Sequence, residues 1–131
     1  MIEFLHNEIL SSSSVEDLII LDNKESIFIE NCYIDHSENE GPSYIKILNS
    51  HLVSISELDV NHLTGSSSKG KSVLFLDLHE NADFEIVGCH FNSNNLKETI
   101  MFDLQSKIRD FKIQDCIFSN ESLSHYYILA E

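Results

Sequence analysis

Residues 84–91 read Phe-Glu-Ile-Val-Gly-Cys-His-Phe, and this octet decides the fold. Apolar side chains stand at Phe84 and Ile86, then at Cys89 and Phe91, so a period of two holds in each half and slips at the middle. That is the pattern of two short strands joined by a tight corner. The octet recurs at Ile27–Ile34 (IFIENCYI), Val53–Val60 (VSISELDV) and Phe111–Phe118 (FKIQDCIF). A fainter copy at Ile2–Ile9 (IEFLHNEI) carries Asn7 where the others have Cys or Leu. The copies start near 2, 27, 53, 84 and 111, at intervals of 25 to 31 residues. The longest interval holds the Gly-, Ser- and Lys-rich run Gly65–Ser72, which reads as a loop insertion over 64–72. Self-similarity at a nearly fixed period is the signature of a solenoid.

A third alternating segment lies between the copies: Leu18–Asp22, Tyr44–Leu48, Val73–Leu78, Ile100–Leu104 and Tyr126–Ala130. Three short strands per repeat describe one coil of a parallel β-solenoid of about five coils, all in one domain over residues 1–131. In that register Ile29, Ile55, Ile86 and Ile113 form one inward row, and Ile34, Val60, Phe91 and Phe118 a second. Cys32, Leu58, Cys89 and Cys116 form a third, with rungs about 4.8 Å apart. Stacking like apolar side chains along an axis supplies the driving force for folding. The cysteines read as small core hydrophobes, although Cys89 and Cys116 are close enough in register for a disulfide. Asn31, Glu57, Gly88 and Asp115 occupy the corner, where turn-tolerant residues belong.

Composition narrows the function. Twenty-two acids against eight bases give a formal charge of −14, which argues against a nucleic-acid binder and against anionic membrane surfaces. Residues 1–14 lack the basic start and unbroken apolar run of a signal peptide, and no apolar stretch is long enough to span a bilayer, so compartment stays open. Three cysteines without a CxxC pair suit neither a disulfide framework nor a zinc site.

The Ile-x-x-Cys-x-Phe-x-x-Asn run at Ile86, Cys89, Phe91 and Asn94 resembles the repeats of right-handed parallel β-helix proteins of the pectin-lyase-like kind. The resemblance spans nearly the whole chain and implies a β-helix rod. It also raises a polysaccharide-binding or polysaccharide-degrading role, because such proteins carry acidic clusters on an exposed sheet face. The leucine-rich repeat is the alternative fold, since its pattern also fits Ile86 through Leu96.

Three outward constellations are candidate sites. In the third strand Ile19/Leu21, Ile45/Ile47, Leu76/Leu78, Phe102/Leu104 and Ile128/Ala130 are expected inward. Asp77 and Asp103 then face outward on neighbouring rungs, with Lys46 one rung further. Paired carboxylates of this kind suit glycosidase acid and nucleophile roles, or ligation of Ca²⁺; the alternative is a chance pairing of solvated acids. Leu18, Tyr44, Phe75, Met101 and Tyr127 form an adjacent outward apolar column, larger than a monomer normally exposes, and read as a surface covered by another protein or by a further part of the chain, with stacking on sugar rings as the alternative. His36 and His62 match in neighbouring coils as a histidine pair, with solvated corner residues as the plainer reading.

The reading begins on a coil at Ile2 and stops on a strand at Ala130, so further coils of a longer chain or neighbouring subunits are expected against both ends. The functional expectation is a non-catalytic structural or protein-interaction module without a cofactor. The alternative is a carbohydrate-active domain using Asp77, Asp103 and Lys46.

Overall fold

The computed structural model describes residues 1–10, 13–14, 19–35, 38–39, 43–65, 72–92, 98–103, 108–119 and 126–130. The described chain is all strand, and every pairing is parallel. The first sheet is formed by the front half of each octet. It holds β1 (Ile2–Leu5), β5 (Ser26–Glu30), β9 (Leu52–Ser56), β13 (Ala82–Val87) and β16 (Ile108–Gln114), stacked in that order. The back halves form the second sheet: β2 (Glu8–Leu10), β6 (Tyr33–Asp35), β10 (Asp59–Asn61), β14 (His90–Asn92) and β17 (Ile117–Ser119). A third sheet holds only β3 (Ser13–Ser14), β7 (Glu38–Asn39) and β11 (Thr64–Gly65). The fourth contains β4 (Ile19–Asp22), β8 (Ser43–Leu48), β12 (Ser72–Asp77), β15 (Glu98–Phe102) and β18 (Tyr126–Ala130).

The chain therefore visits the sheets in turn, and equivalent strands of successive coils lie side by side. This is a parallel β-solenoid. Three coils show all four faces among the described residues, and two more add strands to three of them. The described residues contain no helix, which removes the leucine-rich alternative. The short third sheet adds strands at Ser13–Ser14 and Glu38–Asn39 that the octet and third-segment patterns do not announce, and Thr64–Gly65 and Ser72 take the ends of the expected insertion 64–72 into strands. Two polar residues are too few to show an alternation, so only their pairing across coils reveals them.

The interior rows follow the octet. Phe4, Ile29, Ile55, Ile86 and Ile113 are consecutive partners across the first sheet. Ile29, Ile55 and Ile86 are fully buried, and Ile113 packs half-buried against the same core. Ile27, Val53 and Phe84 make a second buried row that continues to Phe111, whose ring stacks on Phe84 at 5.5 Å. In the second sheet Ile9, Ile34, Val60, Phe91 and Phe118 align, and the two phenylalanine rings stack at 5.3 Å. Full burial of each such side chain contributes about 1.5–3 kcal/mol.

The slip inside the octet is a left-handed residue. His6, Asn31, Glu57, Gly88 and Asp115 have φ of 55°, 53°, 52°, 66° and 55°. A single αL residue turns the chain sharply between sheets, and the amide of each corner from His6 to Gly88 donates to a carbonyl of the next coil, as in Asn31 N to Ser56 O at 3.1 Å. Immediately after the corner comes the cysteine row. Cys32 Sγ donates to Phe4 O one coil back at 3.4 Å and to Glu30 O at 3.3 Å. Cys89 and Cys116 make the same pair of contacts, one to the coil before (Ile55 O, Ile86 O) and one two residues back in their own coil (Val87 O, Gln114 O). Asn7 repeats the local half of the motif, its Nδ2 donating to Leu5 O at 3.1 Å. All three cysteines are free thiols, so the Cys89–Cys116 disulfide that the register permits is not formed. Burial pushes the Cys89 thiol up to about 12, helped by the neighbouring Cys116.

The fourth sheet departs from expectation by two residues. Ile45 and Ile47 pair with Leu74 and Leu76, and these with Ile100 and Phe102, instead of with Leu76/Leu78 and Phe102/Leu104. A shift of two preserves the face of each side chain but moves every column. Leu78 is still buried, at the strand's exit, and Leu104 lies outside the described residues.

Candidate functional site

The register shift redistributes the expected apolar column. Phe75 stands beside Lys46, with Ile20 on one side, and the backbone register continues to Met101 and Leu129. Ile20 is 54% exposed, Phe75 is partly exposed, and the Lys46 ammonium lies 5.7 Å from the centre of the Phe75 ring, within cation–π range. Tyr44 is not part of this stripe: it is fully buried, two positions earlier in register. Burial of three consecutive residues in each of β8 (Ser43, Tyr44, Ile45) and β12 (Ser72, Val73, Leu74) means protein packs on both sides of those strand starts. Leu18 and the side chains of Met101 and Tyr127 lie outside the described residues.

Asp77 and Asp103 do stand on neighbouring rungs, because Leu76 pairs with Phe102 and the Asp103 amide donates to Leu76 O at 2.8 Å. Lys46 does not join them. Asp77 pairs with Leu48, which in turn pairs with Asp22, and Asn49 Nδ2 donates to Asp22 Oδ1 at 2.9 Å. The acids and the lysine thus occupy separate outward columns of the fourth sheet. His36 lies outside the described residues; His62 faces the Asp35 carboxylate, Nδ1 to Oδ1 at 2.9 Å.

A polar face that the reading overlooked lies on the second sheet. Its outward columns are Glu8, Tyr33, Asp59, His90, Ile117 and, two residues on, Leu10, Asp35, Asn61, Asn92, Ser119. Two shallow clefts run over them. One of about 410 Å³ is lined by residues including His6, Glu8, Tyr33 and Asp59, and one of about 290 Å³ by residues including Asn61, His90 and Asn92. Hydrogen bonds order the side chains: within one strand Tyr33 Oη donates to Asp35 Oδ2 at 2.9 Å, and across coils Ser119 Oγ donates to Asn92 Oδ1 at 2.9 Å. His90 Nδ1 lies 3.5 Å from Asp59 Oδ1. The hydrogen bond to Asp35 and its negative charge raise the Tyr33 phenol above its ordinary range. The signal was present just beyond the octet, where Asp35, Asn61, Asn92 and Ser119 follow the final apolar residue of four of the five copies.

Chemically, the second-sheet face offers carboxylate, amide, imidazole and phenol groups to a polar ligand, whereas the fourth-sheet stripe offers apolar area with one cation. Among the described residues no group of three or more His, Cys, Asp or Glu side chains is gathered for a metal ion. No family model, curated protein or solved structure matches this chain.

Proposed function

We propose that the chain is a non-catalytic structural module, a rigid β-helix scaffold of the pectin-lyase-like kind that presents a lateral stripe to a partner protein within a larger assembly. The observation that carries this reading is the outward fourth-sheet column, in which a 54% exposed Ile20 stands next to Lys46 and Lys46 next to Phe75 on consecutive parallel strands. Apolar area set on a rigid surface binds without a large ordering cost. A photoreactive side chain at position 20 or 46 should cross-link one partner that the same group at Asp110 does not reach. Phe75→Asp should abolish that cross-link and leave the circular dichroism unchanged. Equal labelling from both positions contradicts the reading.

The two clefts of the second sheet favour one other reading, a glycan-binding β-helix. It predicts binding on a glycan array that Tyr33→Ala or Asp59→Asn removes. Polymer cleavage lost in Asp103→Asn would instead place the chemistry at the fourth-sheet acids.

A further inference from the structure

Where the fourth sheet hands the chain to the first, two imidazoles of successive coils meet face to face. His51 ends the connection of residues 49–51 between β8 and β9, and His79 lies in the longer connection 78–81 between β12 and β13. Asn49 and Asn81 turn the chain there with φ of 64° and 57°. Backbone bonds pin both histidines: His51 N donates to Glu25 O at 3.2 Å, His79 N to Ser50 O at 3.2 Å, and Asp83 N to His51 O at 2.8 Å. The rings are exposed, 4.4 Å apart centre to centre, and inclined by 28°. The pair belongs to interior coils, since β5 precedes β9 and β16 follows β13 in the first sheet. His62 and His90 turn Nδ1 toward the carboxylates of Asp35 and Asp59. Among the described residues no side-chain hydrogen bond or ion pair occupies the ring nitrogens of His51 and His79.

Imidazole is a good ligand for nickel(II), copper(II) and zinc. Two imidazoles bound at right angles to one ion, through bonds of about 2.1 Å, hold their ring centres roughly 4.5 Å apart, close to the separation of this pair; a tetrahedral angle spreads them to roughly 5.2 Å. Rotation about the side-chain bonds of two exposed histidines aims one nitrogen of each ring at a common point. We infer that His51 and His79 form a two-imidazole site for a divalent transition-metal ion of right-angled coordination, nickel(II) or copper(II), which clips the coil of β9 to the coil of β13. Water fills the remaining coordination positions. Mg²⁺ and Ca²⁺ require oxygen ligands and are not held by this pair. A formal charge of −14 raises the concentration of cations near the surface. The site lies apart from the fourth-sheet column and the second-sheet clefts, and it stands independently of the function proposed for either.

Calorimetric titration of the metal-free 131-residue chain with NiCl2 at neutral pH tests this. The chain should bind one equivalent. His51→Gln and His79→Gln should each lose about a hundredfold in affinity, because the second imidazole binds at the effective concentration set by the first. The double variant should bind no more weakly than either single one, since the two residues act as a unit. His62→Gln should bind like the parent chain. NiCl2 should raise the melting temperature of the parent chain, increasingly with its concentration, while MgCl2 does not, and neither single variant should respond. Copper(II) in the parent chain should show electron-spin coupling to two ring nitrogens, and to fewer in either variant. Circular dichroism melts in EDTA confirm that the variants fold like the parent. No binding at millimolar NiCl2 overturns the inference, as does loss of binding in His62→Gln. Binding that His51→Gln or His79→Gln fails to weaken by at least about tenfold overturns it too.

Discussion

At the residue scale the corner carries the most information. The five octet corners adopt φ between 52° and 66°, and only one of them is glycine. An L side chain in that region costs about 1–2 kcal/mol. A Cβ at Gly88 would meet Glu57 Oε1 at 2.5 Å, but that carboxylate ends a flexible side chain and can move aside. Gly88→Ala should therefore cost about 1–2 kcal/mol in urea unfolding, nearly all from the backbone. The neighbouring thiol makes a second prediction. Below pH 9.0, the ordinary value, Cys89 is protonated in both folded and unfolded chains; above it the unfolded chain loses the proton while the folded one keeps it up to about 12. Stability should fall as pH rises through that window. Cys89→Ser, which keeps a donor for Ile55 O and Val87 O, should flatten the decline. Iodoacetamide mapped by mass spectrometry should label the half-buried Cys116 before the buried Cys89. Tyr33 is a third reporter. Asp35→Asn should bring its phenol back down toward the ordinary range in an ultraviolet titration, since the bond to that carboxylate is the first cause of its rise.

At the element scale the octet and the fourth-sheet strands behaved differently as sequence. In the octet, Ile29, Ile55, Ile86 and Ile113 align as expected because the αL corner sits a fixed number of residues from both flanking strands, which locks the register on each side. The fourth-sheet strands enter through segments of unequal length, and β8 and β12 offer two registers of the same face, Leu74/Leu76 or Leu76/Leu78 against Ile45/Ile47. Periodicity alone cannot choose between them, and that ambiguity is what displaced Lys46 from Asp77 and Tyr44 from Phe75. Buried Tyr44 was illegible for a related reason: alternation reports which way a side chain points from its own sheet, not what else packs there. The second-sheet clefts were missed because polar columns give no hydrophobic period. The solenoid also grades its own strands by position. Ile55→Ala, in an inner coil, should cost about 2–5 kcal/mol. Ile113→Ala, in an outer one, should cost clearly less by the same urea measurement, because its side chain is only half removed from water.

At the scale of the whole molecule, one repeated decision builds everything else: each coil lays its apolar residues on those of the coil before. From this follow sheet faces on the sides of the stack, with Ile20 and Phe75 outward on one flank and polar clefts on another. The charge of −14 is carried outside that core and keeps the flanks apart from one another and from polyanions. Methyl NOE spectroscopy on a chain labelled only at isoleucine tests the central claim most directly. The account predicts a linear string of short-range cross-peaks, Ile29 to Ile55, Ile55 to Ile86 and Ile86 to Ile113, because these residues are paired rung by rung. A strong direct cross-peak between Ile29 and Ile86, or the absence of contact between Ile55 and both of its neighbours, would contradict it.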